Sequence, residues 1–236
     1  MLEHGSATVG FEDYVPVLET TVRLLPPGCQ VMLLADRGFE HGALIRWFQA
    51  HRWSWAIRAK SDLNITRSTG EMVAVATLFP PEGEAYLFPQ VTILQDIQCH
   101  LATAHLALAG EPWAVISDVP PSLQTFAVYG QCFGGIEPHF KDYKSAAFEL
   151  IRSHLRDAQA LNCLFMLLAT AMLIATAVAV VVVREGRRKV LDGHDHRGLS
   201  FLQLGLRENK RLCYQHLPMP PFATLPRKSP PLPLLL

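Results

Sequence analysis

Val31-Met32-Leu33-Leu34-Ala35, followed by Asp36-Arg37-Gly38-Phe39, is the stretch on which the fold turns. A short continuous apolar run bounded by turn formers suits a buried strand, and the acid falls at that strand's C-terminal end. Strand ends open into clefts, where a carboxylate commonly holds a hard divalent cation. Such an aspartate is also a common helix cap or turn former. Asp118, which closes the apolar run Trp113–Ser117, has the same look.

Upstream, Phe11, Tyr14, Val15, Leu18, Val22 and Leu25 recur at helical spacing, and Pro26-Pro27-Gly28 ends that segment. Downstream, a helix is expected over 41–51 and a second strand over Trp53–Ala59, closed by Lys60. Residues 70–120 hold short β-like runs, Val91–Leu94, His100–Leu108 and Trp113–Ser117, broken by Pro and Gly. From Ser122 to about Val183 the pattern is helical, and the proline-rich C-terminus reads as a tail. This is an α/β chain, expected to divide at 1–60, 61–120, 121–207 and 208–236.

Glu137, Lys141 and Lys144 form a second constellation, sharing one face if the segment is helical. A carboxylate beside two ammonium groups suits a metal ligand next to a phosphate-binding pair. It suits equally an exposed ion pair worth a few tenths of a kcal/mol, roughly.

Order and context connect the two constellations. The run from Tyr129 through Cys132 to Glu137, then six residues and Lys144, resembles the signature of IS4-family DDE transposases: Tyr, two residues, Arg, three residues, Glu, six residues, Lys. Ala35–Phe39 is similar to the family's second-aspartate motif. Leu155-Arg156-Asp157 before a long apolar helix and Leu202–Arg207 after it fit as well, so the resemblance covers roughly residues 3–207. It implies an RNase H-like core with a β-rich insertion at 61–120, followed by long helices. It also implies Mg²⁺ or Mn²⁺ held in a two-metal site by three carboxylates, for phosphodiester cleavage and strand transfer. Asp36 would be the second of these carboxylates and Glu137 the third, with Tyr129 and Lys144 contacting DNA. Lys141, Arg37, Arg58 and Lys60 are further candidates to face phosphate. DNA ends and target would be the partners, a homodimer the working assembly, and the cytoplasm, at the nucleoid, the location.

The sequence departs from that pattern in three places. Asp13 is the single Asp before Asp36, and it lies in a helical segment. Cys132 stands where the family has Arg, and a thiol cannot supply a guanidinium's bidentate grip. One extra residue separates Cys132 from Glu137. The expectation is a core incomplete at its N-terminus, with weak or no activity: a truncated remnant.

Bulk properties temper the nucleic-acid reading. Lys+Arg and Asp+Glu balance at 21 each. From Arg184 onward, however, ten basic groups face four acidic ones, leaving the body acidic instead of carrying a basic footprint. Five scattered cysteines, Cys29, Cys99, Cys132, Cys163 and Cys213, read as reduced thiols. The N-terminus shows no signal-peptide pattern. Trp47, Trp53 and Trp55 read as core, and His194-Asp195-His196 as an exposed loop. Cys163–Val183 carries no charge and precedes Arg184, Arg187, Arg188 and Lys189. It reads as a helix buried on all sides or, alternatively, as the span of a single-pass membrane-associated protein with a basic, Pro-rich cytoplasmic tail.

Overall fold

The computed structural model describes residues 10–106, 110–122, 124–133, 140–142, 148–194 and 198–220. They fall into two compact units, one of residues up to 133 and one of residues from 140 onward. Glu137 and Lys144 lie outside the described residues.

The first unit opens with α1 (Phe11–Leu24). Its spacing places Phe11, Leu18 and Val22 against the main core, where Leu25 joins them. Pro26-Pro27-Gly28-Cys29 then reverses the chain. Cys29 N–H donates to the Pro26 carbonyl at 3.2 Å, and Gly28 takes φ +75°. Pro then Gly at the two central positions is what a type II turn demands.

β1 (Met32–Ala35) follows, then α2 (Gly42–Ala50) and β2 (Ser54–Arg58). β1 and β2 pair in parallel, with Leu33 opposite Trp55 and Ala35 opposite Ile57. Parallel neighbours need a crossover, and α2 supplies it. Leu44, Ile45, Trp47 and Phe48 form its buried stripe. The remaining strands are β3 (Asn64–Thr66), β4 (Met72–Ala74), β5 (Ala85–Ile93), β6 (Ile97–Ala104) and β7 (Trp113–Ser117). They are antiparallel and extend the same sheet, in the order β1-β2-β7-β6-β5-β3-β4. The β-rich stretch 61–120 therefore continues the sheet that carries Asp36.

Alternation along the strands feeds two cores. Trp55, Ile57, Leu101 and Ile116 face the α2 side together with Trp47 and Trp53. Ala56, Ala102 and Val115 face the other side, where α3 (Thr125–Phe133) adds Phe126 and Tyr129. All three tryptophans in this first core are buried.

The second unit is helical but not continuously so. The helical reading of 122–183 is interrupted after α3. Leu150–Ser153 is a 3-10 turn flanked by left-handed residues, Glu149 at φ 48° and His154 at φ 54°. α4 (Ala158–Arg184) starts where the Asp157 carboxylate accepts Ala160 N–H at 2.7 Å. It buries one stripe, Met172, Ala175, Val178, Ala179 and Val182. Met166, Leu167 and Leu173 are exposed, so within its unit the helix is not buried on all sides. At 27 residues it is long and apolar enough to cross a membrane by length and composition. A short α5 (Arg188–Leu191) leads to α6 (Phe201–Tyr214). α6 runs past the boundary expected at 207/208 because Glu208 and Leu212 still face inward.

Buried acids pin the connections between these helices. Glu208 is buried between Arg187, 2.8 Å away, and Arg211, 2.7 Å away. Asp192 accepts the backbone N–H of Leu199 at 2.7 Å and lies 3.1 Å from the His194 ring.

Candidate active site at the end of the first strand

Asp36 stands where the sequence reading puts it, directly after β1, and its side chain is exposed. Its Oδ1 accepts Arg37 N–H at 2.6 Å and so caps the 3-10 turn Arg37–Phe39. The cap holds the carboxylate in one orientation at the strand end. Asp36 is thus both turn former and exposed acid. Tyr14 packs its ring on Phe39 at 5.3 Å between centroids, which seats α1 against the same turn.

Beneath Asp36 lies Tyr129, 1% exposed. Its hydroxyl donates to the Ala35 carbonyl at 2.7 Å. The ring meets Trp113 edge-on at 6.1 Å, and the Arg58 guanidinium lies 4.6 Å above that same indole. Arg58 also pairs with Glu111 at 2.5 Å, so its charge is already partnered. Burial pushes the Tyr129 phenol well above its ordinary value. The neighbouring Asp36 charge pushes the same way, while the Arg58 charge and a hydrogen bond with the Arg58 backbone oppose it. The residue expected at DNA therefore stands with its hydroxyl inside the fold.

Arg37 and Lys60 are exposed, and Lys141 is exposed within the helical unit. Lys60 N–H donates to Glu40 Oε2 at 2.8 Å. Glu40 is partly buried, and desolvation raises its carboxyl pKa, with Lys60 opposing and Asp62 adding. Glu40, Lys60 and Asp62, with Thr66, Met72 and Leu94, line an open cleft of about 450 Å³ that is half apolar. Glu40 escapes a sequence reading because its partner is twenty residues away.

Asp118, the other strand-end acid, has a structural occupation. Its Oδ1 accepts Trp55 N–H at 2.8 Å and extends the β2–β7 ladder. Asp13 lies in the first turn of α1, where its Oδ2 accepts Gly10 N–H at 2.9 Å.

A carboxylate such as Asp36 suits Mg²⁺ or Mn²⁺ chemically. Among the described residues no three His, Cys, Asp or Glu come together as a complete ligand set. Asp36 is an exposed, anchored carboxylate among them, and Glu137 falls outside the described residues.

A comparison with protein families matches residues 12–174, more than half of the chain, to the transposase DDE domain. No curated protein matches. The match begins in α1, passes through β1 and Asp36, and ends inside α4. The mixed α/β sheet with its crossover helix is the RNase H-like fold such a domain implies, divalent metal ions are the cofactors these domains generally use, and DNA is the partner that follows. This chain belongs to the transposase DDE domain family.

Proposed function

We propose that the chain is the catalytic part of an IS4-type transposase, acting on insertion-sequence ends and target DNA in a dimeric synapse at the nucleoid. Asp36 and Glu137 would hold Mg²⁺ or Mn²⁺. Lys144, Lys141, Arg37 and Lys60 would face the phosphate backbone, where compact positive charges give sequence-independent attraction. A divalent ion held there supplies Lewis acidity toward phosphate oxygens. The residues' own part is to orient: Asp36 is fixed by its bond to Arg37 N–H. That exposed, anchored strand-end carboxylate is the observation that carries the reading.

The 236 residues, taken as they stand, are proposed to have little or no activity. Asp13 is tied into the first turn of α1, and Cys132 replaces the signature arginine. Two carboxylates hold a pair of divalent ions far less firmly than three. The test is nicking of a labelled duplex by the purified chain, beside an Asp36→Ala/Glu137→Ala double variant. The expected result is faint nicking or none, with any signal requiring Mn²⁺ or Mg²⁺ and vanishing in the double variant. Metal-independent nicking that survives the double substitution, or no DNA binding by folded protein at low salt, would sink the reading.

A further inference from the structure

We propose that Tyr129 is a positioning residue: its buried hydroxyl, bonded to the Ala35 carbonyl, fixes the backbone from which the Asp36 carboxylate projects. This rests on the reading of Asp36 as a metal ligand.

The geometry is specific. β1 ends at Ala35, and Asp36 begins a 3-10 turn. The register Ala35↔Ile57 keeps the Ala35 carbonyl in the ladder with β2, and its second lone pair is left for a buried hydroxyl to meet. Tyr129 meets that carbonyl at 2.7 Å from α3, ninety-four residues away in sequence. Arg58, at the end of the neighbouring strand β2, lies beside the same hydroxyl. The hydroxyl thus sits where the ends of the two parallel strands meet. The Trp113 edge contact and burial among Ala56, Ala102, Val115 and Phe126 hold the ring in place. The next residue after the clamped carbonyl is the exposed acid. Small rotations of the Ala35–Asp36 peptide would swing that carboxylate, and ligand orientation governs metal affinity.

The experiment uses the full chain and Mn²⁺ alone as probe, with free Mn²⁺ followed by electron paramagnetic resonance. Tyr129→Phe keeps the ring and removes the hydroxyl. Asp36→Asn removes the ligand. Phe126→Leu perturbs the same core cluster without touching the Ala35 carbonyl. Tyr129→Phe is expected to weaken Mn²⁺ binding on the order of 10-fold, Asp36→Asn to abolish it, and Phe126→Leu to lower the melting temperature while leaving Mn²⁺ affinity in place.

Wild-type Mn²⁺ affinity in folded Tyr129→Phe, beside a damaged Asp36→Asn, overturns this proposal alone. Unchanged affinity in Asp36→Asn removes the metal-ligand reading and this proposal with it.

Discussion

Gly205 of α6 lies against the Ala175 backbone of α4 so closely that a Cβ built on it would stand 1.8 Å from the Ala175 carbonyl oxygen. No side chain fits there without parting the helices, so this one glycine sets their approach. Around it, Met172 and Leu202 on one side and Ala179, Val182 and Leu204 on the other complete the seam.

Gly205→Ala is therefore expected to destabilise the helical unit by about 1–3 kcal/mol through overpacking, despite alanine's better helix propensity. Gly130→Ala, at an α3 position with nothing within 4 Å of the built Cβ, should be neutral or mildly stabilising. Thermal unfolding of the two variants, followed by circular dichroism, checks the contrast. Equal melting temperatures would mean the seam is looser than described.

Glu208 links stability to pH. Hydrogen bonds from Arg211 lower its carboxyl pKa, burial opposes, and Arg187 adds to the lowering; the result is a value of about 2 against an ordinary 4.5. A depressed folded value means the contribution is complete above the unfolded value and is lost as pH falls from about 4.5 toward about 2. The magnitude is about 2 kcal/mol, discounted because both arginines are about a third exposed. Glu208→Gln should lower stability at pH 7 and flatten the acid limb of a stability–pH curve. An unchanged acid limb would show that other carboxylates dominate it.

Asp118 separates structural acids from chemical ones. Asp118→Ala leaves the buried-strand N–H of Trp55 without its acceptor, which should cost about 1–3 kcal/mol. Denaturant unfolding would register the loss, while Mn²⁺ affinity should stay at the wild-type level. A fall in Mn²⁺ affinity with unchanged stability would reverse the roles assigned to the two strand-end aspartates.

Thiol labelling gives a direct reading of burial. Desolvation pushes the Cys99 thiol up to about 12, and Cys99 is 3% exposed on β6. Cys29, Cys163 and Cys213 are exposed. An alkylating reagent at pH 8 should label these three in the native chain and reach Cys99 after unfolding. Rapid native labelling of Cys99, located by peptide mass, would mean β6 is not where it is described.

Local pattern carried much of this protein. The helical spacing over Phe11–Leu25 and the stripe of α2 state their own period, because burial of one face selects 3.6 whatever the partner is, and the apolar run ending at Ala35 is marked by its length and the turn formers that bound it. The Pro-Pro-Gly turn was equally legible, since φ is decided within the residue itself. Asp36 could be named from sequence because being next to a strand end is a local property. Pairing was not local. That β2 lies between β1 and β7, with Ile57 against Ile116, depends on contacts across some sixty residues that no periodicity records. The same limit hid the bond between Glu40 and Lys60 N–H and left α4's burial open, because a uniformly apolar helix does not announce which stripe will be covered. It is clearest at Tyr129. Sequence motif placed that residue beside DNA. A helix turns about 100° per residue, and packing turned this side chain inward to the Ala35 carbonyl. Residue type and period set what each segment could become; which groups meet was decided by the tertiary structure, where the burial of polar atoms requires that each find a partner.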